Sequence, residues 1–209
     1  MSREQAEVIG QARVKGTGWK DSRWTGATEQ RFASILQDHG LPFPPKNIEL
    51  LAFKEERKLE IYANKILLHT YNFTAYSGKR GPKTKEGDRQ IPEGIYGVEY
   101  LNPNSKFHIS IKINYPNARD IMRAEKAGIG NPGSDIFIHG KDLSIGCIAI
   151  GDAYIEEVFT LVSMVGTENV RVLIFPNDAR KNGKFLPCEV CPADVDELYA
   201  ELKRELVKY

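Results

Sequence analysis

Regular patterning begins near residue 28. A helix is predicted from Thr28 to His39, where Thr28 can cap the start and Gly40 can end it. The run Leu41-Pro42-Phe43-Pro44-Pro45 then breaks the chain and separates an N-terminal helical arm from the main domain. From Ile48 the pattern shortens to strands rich in Ile, Leu, Tyr and Phe: 48–53, 58–63 and 66–75, with Asn64-Lys65 suited to a tight hairpin. Further strands are predicted at 94–100, 107–113, 135–139 and 170–175. In 107–113, Phe107, Ile109, Ile111 and Ile113 alternate with His108, Ser110 and Lys112, so one face should be buried.

Two segments carry a helical period. Residues 152–165 place Ile155, Val158, Phe159, Val162 and Val165 on one side, with Asp152 at the cap and Gly166 at the end. Residues 193–208 do the same with Val195, Leu198, Tyr199, Leu202 and Leu206. The expected fold is mainly β (α+β), with flanking helices. Its expected parts are the arm at 1–45, which holds Trp19, Trp24 and Phe32, a domain at 46–178, and a C-terminal loop and helix at 179–209.

Composition narrows the function only by exclusion. The 209 residues are 41% hydrophobic and 27% charged, the mixture of an ordinary globular domain. A formal net charge of +1 gives no reason to expect nucleic acid or an anionic membrane as partner. No stretch reaches the ~18 apolar residues that a spanning helix needs. The first twenty residues are charged throughout and lack the apolar core of an export signal. The expectation is therefore a cytosolic protein, or one whose export signal was removed ahead of Met1.

Three cysteines are present. Cys188 and Cys191 lie in Pro-Cys-Glu-Val-Cys-Pro, where a local disulfide and surface thiols are both open. A zinc site wants four ligands, and this pair with no nearby histidine supplies only two. Cys147 stands apart from them.

Cys147 closes the stretch Asp135-Ile-Phe-Ile-His139-Gly140-Lys-Asp-Leu-Ser144-Ile-Gly146-Cys147. A strand ends on a histidine, and a glycine-containing turn of seven residues leads to the cysteine. A neighbouring imidazole can take the thiol proton and make the thiolate that attacks. Gly146 permits a tight turn that points the Gly146 and Cys147 amides at a developing oxyanion. The Gly140 carbonyl can fix the imidazole tautomer, the role a carboxylate plays in a serine triad. A lone Cys/His pair is nevertheless a weak motif, because cysteine is often just a small buried hydrophobe.

A second block, from Ser77 to Tyr96, contains Gly-Pro-Lys-x-x-Glu-Gly-Asp-x-Gln-x-Pro-Glu-Gly-x-Tyr. Alone it reads as a solvated loop whose basic residues can meet a carboxylate. Together with Ile-His-Gly and Ser-x-Gly-Cys, in that order, it resembles the L,D-transpeptidase (YkuD-type) catalytic domain, in particular its YafK-like branch. The resemblance covers roughly 48–175.

The resemblance implies a β-sandwich core, peptidoglycan stem peptides as substrates, a periplasmic or wall-associated location, and no metal or organic cofactor. It matches Cys147 to the nucleophile, His139 to the catalytic histidine, and Gly140 to the carbonyl that orients it. Ser144 and Gly146 match the small positions of the signature. Two departures stand out: Ile145 replaces a second histidine of the common form, and the His-to-Cys gap is shorter. Both are like the YafK-like branch, whose members include enzymes that release a wall-linked protein. They bear on the direction of the reaction, transpeptidation or hydrolysis, more than on the nucleophile. Arg80, Lys83 and Tyr76 are the expected substrate contacts. The rival readings are a catalytically silent peptidoglycan-binding scaffold and a thiol redox protein built on Cys188 and Cys191.

Overall fold

The computed structural model describes residues 25–209, so Trp19 and Trp24 lie outside the described residues. Helix α1 (Thr25–Asp38) is followed by strands β1 (Ile48–Phe53), β2 (Lys58–Ala63) and β3 (Ile66–Asn72). A long loop leads to β4 (Gly94–Ser105), β5 (His108–Ile113), α2 (Ala118–Lys126), β6 (Phe137–His139) and β7 (Ile148–Ala149). Helix α3 (Asp152–Val165), β8 (Val170–Phe175) and α4 (Val195–Leu206) complete the chain. One mixed sheet runs β3-β2-β1-β8-β4-β5-β6-β7. The fold is mainly β in the α+β class, as the patterning predicts.

The centre of the sheet is the parallel pair β1–β8, in register from Ile48↔Val170 to Phe53↔Phe175. Every residue of β1 is buried, because helices cover both faces there. Leu50, Ala52, Val172 and Ile174 face a core shared with Phe32 and Leu36 of α1 and with the apolar side of α3. Leu51, Phe53, Leu173 and Phe175 face the other way, onto Leu198, Leu202 and Leu206 of α4. Full burial of one leucine is worth about 1.5–3 kcal/mol, so three at helical spacing suffice to dock α4.

Strand β4 carries the sheet from one half to the other. Gly94–Gly97 pair with β8, and Val98–Ser105 pair with β5 through two irregularities in register. At the far edge, β6 and β7 run parallel with Ile138 opposite Ile148 and His139 opposite Ala149. Beyond β7, Ala149 bridges Ala75 and accepts a 2.8 Å hydrogen bond from the Thr74 amide. The curled sheet thus brings its last strand back to the segment that leaves β3.

Several local expectations need correction. The first helix starts by Thr25, and Thr28 is buried within it instead of capping it. Strand β3 stops at Asn72, leaving Ala75 in an isolated bridge. Gly151 is the N-cap residue of α3, while Asp152 sits in the first turn and accepts from the Lys141 amide at 2.7 Å. Phe107 is 41% exposed and no part of the buried face, because His108 takes a left-handed φ of 73° and breaks the alternation there. Asn64 and Lys65 both have positive φ, as a two-residue hairpin of the I′ kind requires.

Candidate active site

His139 ends β6 and Cys147 immediately precedes β7, so the β6–β7 register decides their relation. Side chains alternate across a strand. Phe137 and His139 therefore share one face, and Cys147 comes alongside them as the residue before Ile148. All three line one pocket of about 580 Å³. Asn102, Ser105, Lys106 and Phe107 form its wall on the β4–β5 hairpin side, and Leu143 and Ile145 form its rim. The two rim side chains are 67% and 79% exposed, which leaves apolar surface at the mouth.

The imidazole is buried, and its Nδ1 lies 2.6 Å from the Gly140 carbonyl. A carbonyl oxygen can only accept, so Nδ1 carries the proton and Nε2 presents its lone pair. Phe107 covers the ring with centroids 4.6 Å apart, and burial lowers the imidazole pKa from its ordinary value, against the Gly140 hydrogen bond. Gly140 has to be glycine: a Cβ there would meet Asp152 Oδ1 at 2.5 Å and the Phe107 carbonyl at 2.9 Å.

Burial raises the pKa of Cys147, and a hydrogen bond from the Phe137 backbone acts against it. The Sγ–H donates weakly to the Asp135 carbonyl at 3.7 Å instead of to the imidazole. Burial thus biases both thiol and imidazole towards neutrality. The turn before Cys147 is held by Ser144, whose hydroxyl donates to the Cys147 carbonyl at 2.7 Å and accepts from the Gly146 amide at 3.3 Å. That contact occupies the Gly146 amide. The Cys147 amide donates to no partner among the described residues. Gly146 has φ 122°, and a Cβ would lie 3.1 Å from the Gln90 carbonyl, so the turn rests directly on the long loop.

That loop is rigidly held. The Lys54 ammonium is buried and bonds to the Gly81 and Ile91 carbonyls at 2.6 and 2.9 Å and to Glu93 at 2.8 Å. On the opposite side, the Glu189 amide donates to the Arg80 carbonyl at 2.9 Å, next to a disulfide between Cys188 and Cys191.

Of the residues singled out by sequence, His139, Gly140, Ser144, Gly146 and Cys147 come together. Tyr76, Arg80 and Lys83 do not line this pocket. Tyr76 and Arg80 border a separate small cleft beside Glu55, with Arg57 over the Tyr76 ring and Arg80 paired to Glu55 at 3.4 Å. Lys83 is buried and paired to Asp88 at 2.7 Å. Sequence reasoning missed Phe107 as the cover of the histidine, and the hairpin residues Asn102, Ser105 and Lys106. Among the described residues, no group of three or more His, Cys, Asp or Glu side chains is arranged to hold a metal, and no helix is long and apolar enough to cross a membrane.

The model of the L,D-transpeptidase catalytic domain (YkuD) matches residues 48–174. The chain belongs to the L,D-transpeptidase catalytic domain family. A protein of Escherichia coli (strain K12) named "Putative L,D-transpeptidase YafK" is 40% identical over 133 residues, covering 59% of this chain and 52% of that protein. The chain thus spans about half the length of the curated relatives it matches. Among solved structures, the helical cell shape determining protein Pgp2 from Campylobacter jejuni superimposes with a TM-score of 0.49 at 22% identity, covering 75% of this chain and 54% of that one. Bd1075 of Bdellovibrio bacteriovorus gives 0.45 at 19% identity, covering 78% and 55%.

Proposed function

We propose that this L,D-transpeptidase-family domain is a cysteine acyltransferase or amide hydrolase of peptidoglycan stem peptides. The observation that carries the reading is the fixed tautomer of His139, whose basic Nε2 meets no hydrogen-bond partner among the described residues while His139 and Cys147 line the same pocket. The thiol transfers its proton to Nε2 as sulfur attacks the carbonyl carbon at the L-centre of a stem-peptide diamino acid. A C–S bond forms, and the Cys147 amide stabilises the oxyanion. On collapse the C–N bond breaks and His139 returns the proton to the leaving amine. An amine or water then attacks the thioester, giving its proton to His139, which passes it to the departing sulfur. An amine gives transpeptidation, water gives hydrolysis, and a wall-linked protein is one candidate leaving group.

The Cys188–Cys191 disulfide supports a location in the oxidising cell envelope, where such chemistry persists. A second reading, a catalytically silent wall-binding module, draws on the thiol's contact with Asp135 instead of His139.

The test incubates the protein and its Cys147→Ala variant with tetrapeptide and protein-linked muropeptides, read by mass spectrometry. Crosslinked, exchanged or cleaved products from the wild type alone, with an acyl adduct on Cys147, are expected. Identical products from both proteins and no adduct would leave the silent module.

A further inference from the structure

The pocket holds two side chains of fixed charge, Lys106 and Asp135, and they lie at opposite ends of it. The β5–β6 ladder sets their order. Ser110 faces His139 and Lys112 faces Phe137, so Asp135 lies past Phe137, on the side where the Cys147 thiol contacts its carbonyl. The hairpin end comes beyond His139, where the Phe107 carbonyl accepts from the Gly140 amide at 3.1 Å. At about 3.3 Å per residue, several residues of strand separate the two charges, with the histidine between them.

Asp135 is paired to Lys112 at 3.1 Å. Lys106 is different. Lys141 Nζ holds its carbonyl at 2.6 Å, yet its own ammonium meets no acid among the described residues. Its neighbours are arranged to donate as well. Asn102 Oδ1 is taken by the Asn104 amide at 3.0 Å, leaving the side-chain NH2. Ser105 Oγ accepts from the Phe107 amide at 3.1 Å, leaving its O–H. An ammonium, an amide NH2 and a hydroxyl, their local acceptors already used, make a receptor for an anion, while Asp135 disfavours one at the other end.

We propose that Asn102, Ser105 and Lys106 form the subsite for a free carboxylate on the amine component of the reaction. This rests on the acyl-transfer reading for the direction of the chemistry. His139 stands between the thiol and Lys106, and it is the group that serves the leaving or accepting amine, so the carboxylate at Lys106 belongs to the amino acid bearing that amine. Arg80 and Lys83, with charges met by Glu55 and Asp88 and positions outside the pocket, do not compete for it.

The test compares a tetrapeptide stem with a free C-terminal carboxylate against its C-terminal carboxamide. Calorimetric titration into Cys147→Ala protein needs no turnover. The free acid is expected to bind about ten- to a hundredfold more tightly, the range of a charge-assisted hydrogen bond. Adding Lys106→Ala should erase the difference and Lys106→Arg should restore most of it. In turnover by the protein with Cys147 intact, Lys106→Ala should raise KM for the free acid with kcat little changed. Equal affinity for the two peptides, or a preference that survives Lys106→Ala, overturns the subsite. A carboxylate preference that requires Lys106, without any Cys147 adduct in the wild type, would uphold the subsite and reject acyl transfer.

Discussion

Phe107 lies over His139 with ring centroids 4.6 Å apart and the planes tilted by 39°. This cover excludes water from the imidazole, and lost hydration disfavours its charged form. His139 therefore titrates below its ordinary value of 6.5, while burial moves Cys147 above its ordinary 9.0. In the proposed acyl transfer the working state carries one proton shared by the pair, so it is lost to protonation below the lower pKa and to deprotonation above the higher one. The pH profile of kcat/KM should be a plateau with its acid limb below 6.5 and its alkaline limb above 9.0. Phe107→Ala should shift the acid limb upward, towards ordinary imidazole. An acid limb that stays put in the variant would assign the shift to something other than the ring.

Gly140→Ala tests how closely the histidine is positioned. The added methyl meets Asp152 and the Phe107 carbonyl well inside contact distance, so the Gly140 carbonyl must move away from Nδ1. A misplacement of about 1 Å can cost on the order of a hundredfold in rate. That loss should appear in Cys147 acylation, with the melting temperature reporting separately on the fold.

Lys54→Met should be costly although Lys54 lies outside the pocket. The substitution strands Glu93, which is buried, without its cation. Breaking such a pair typically costs about 3–5 kcal/mol, to be read from denaturant unfolding. Because the Ile91 carbonyl and the loop beneath Gly146 lose the same anchor, acylation should slow as well. Full stability in the variant would show that the pair contributes little.

Replacing Cys188 and Cys191 with serine opens a very short ring, for which loop entropy predicts a loss of at most about 2 kcal/mol. The segment they close rests on Arg80 and Gly81, so protease cutting of the loop at 77–93 should rise as well. The thiol redox reading instead predicts that all activity vanishes with this pair and survives Cys147→Ala.

The centre of the fold was legible in the sequence because β1, β2, β8 and α3 carry apolar runs bounded by turns, and their boundaries match the structure. Helix α2 was not, and its burial explains why. It buries Asp120, Arg123 and Ala124 while exposing Ile121 and Met122, and Arg123 is held by Asp194 at 2.8 Å from outside the helix. A pattern reversed in this way carries no apolar stripe to find. Strand β7 is two residues long and exists through its neighbours alone. Lys83 looked available because charge is visible in a sequence and its burial beside Asp88 is not. The cysteine–histidine stretch was legible because its parts are local, whereas the opposite wall comes from the β4–β5 hairpin, which only the register brings near.

The bridge between Ala149 and Ala75 also constrains how a substrate arrives. The outer side of β7 is already taken by the chain leaving β3, so a peptide cannot reach Cys147 by adding itself to the sheet as one more strand. Entry is confined to the groove between the hairpin and the rim, where side-chain groups, and not a shared backbone ladder, would tell one stem peptide from another.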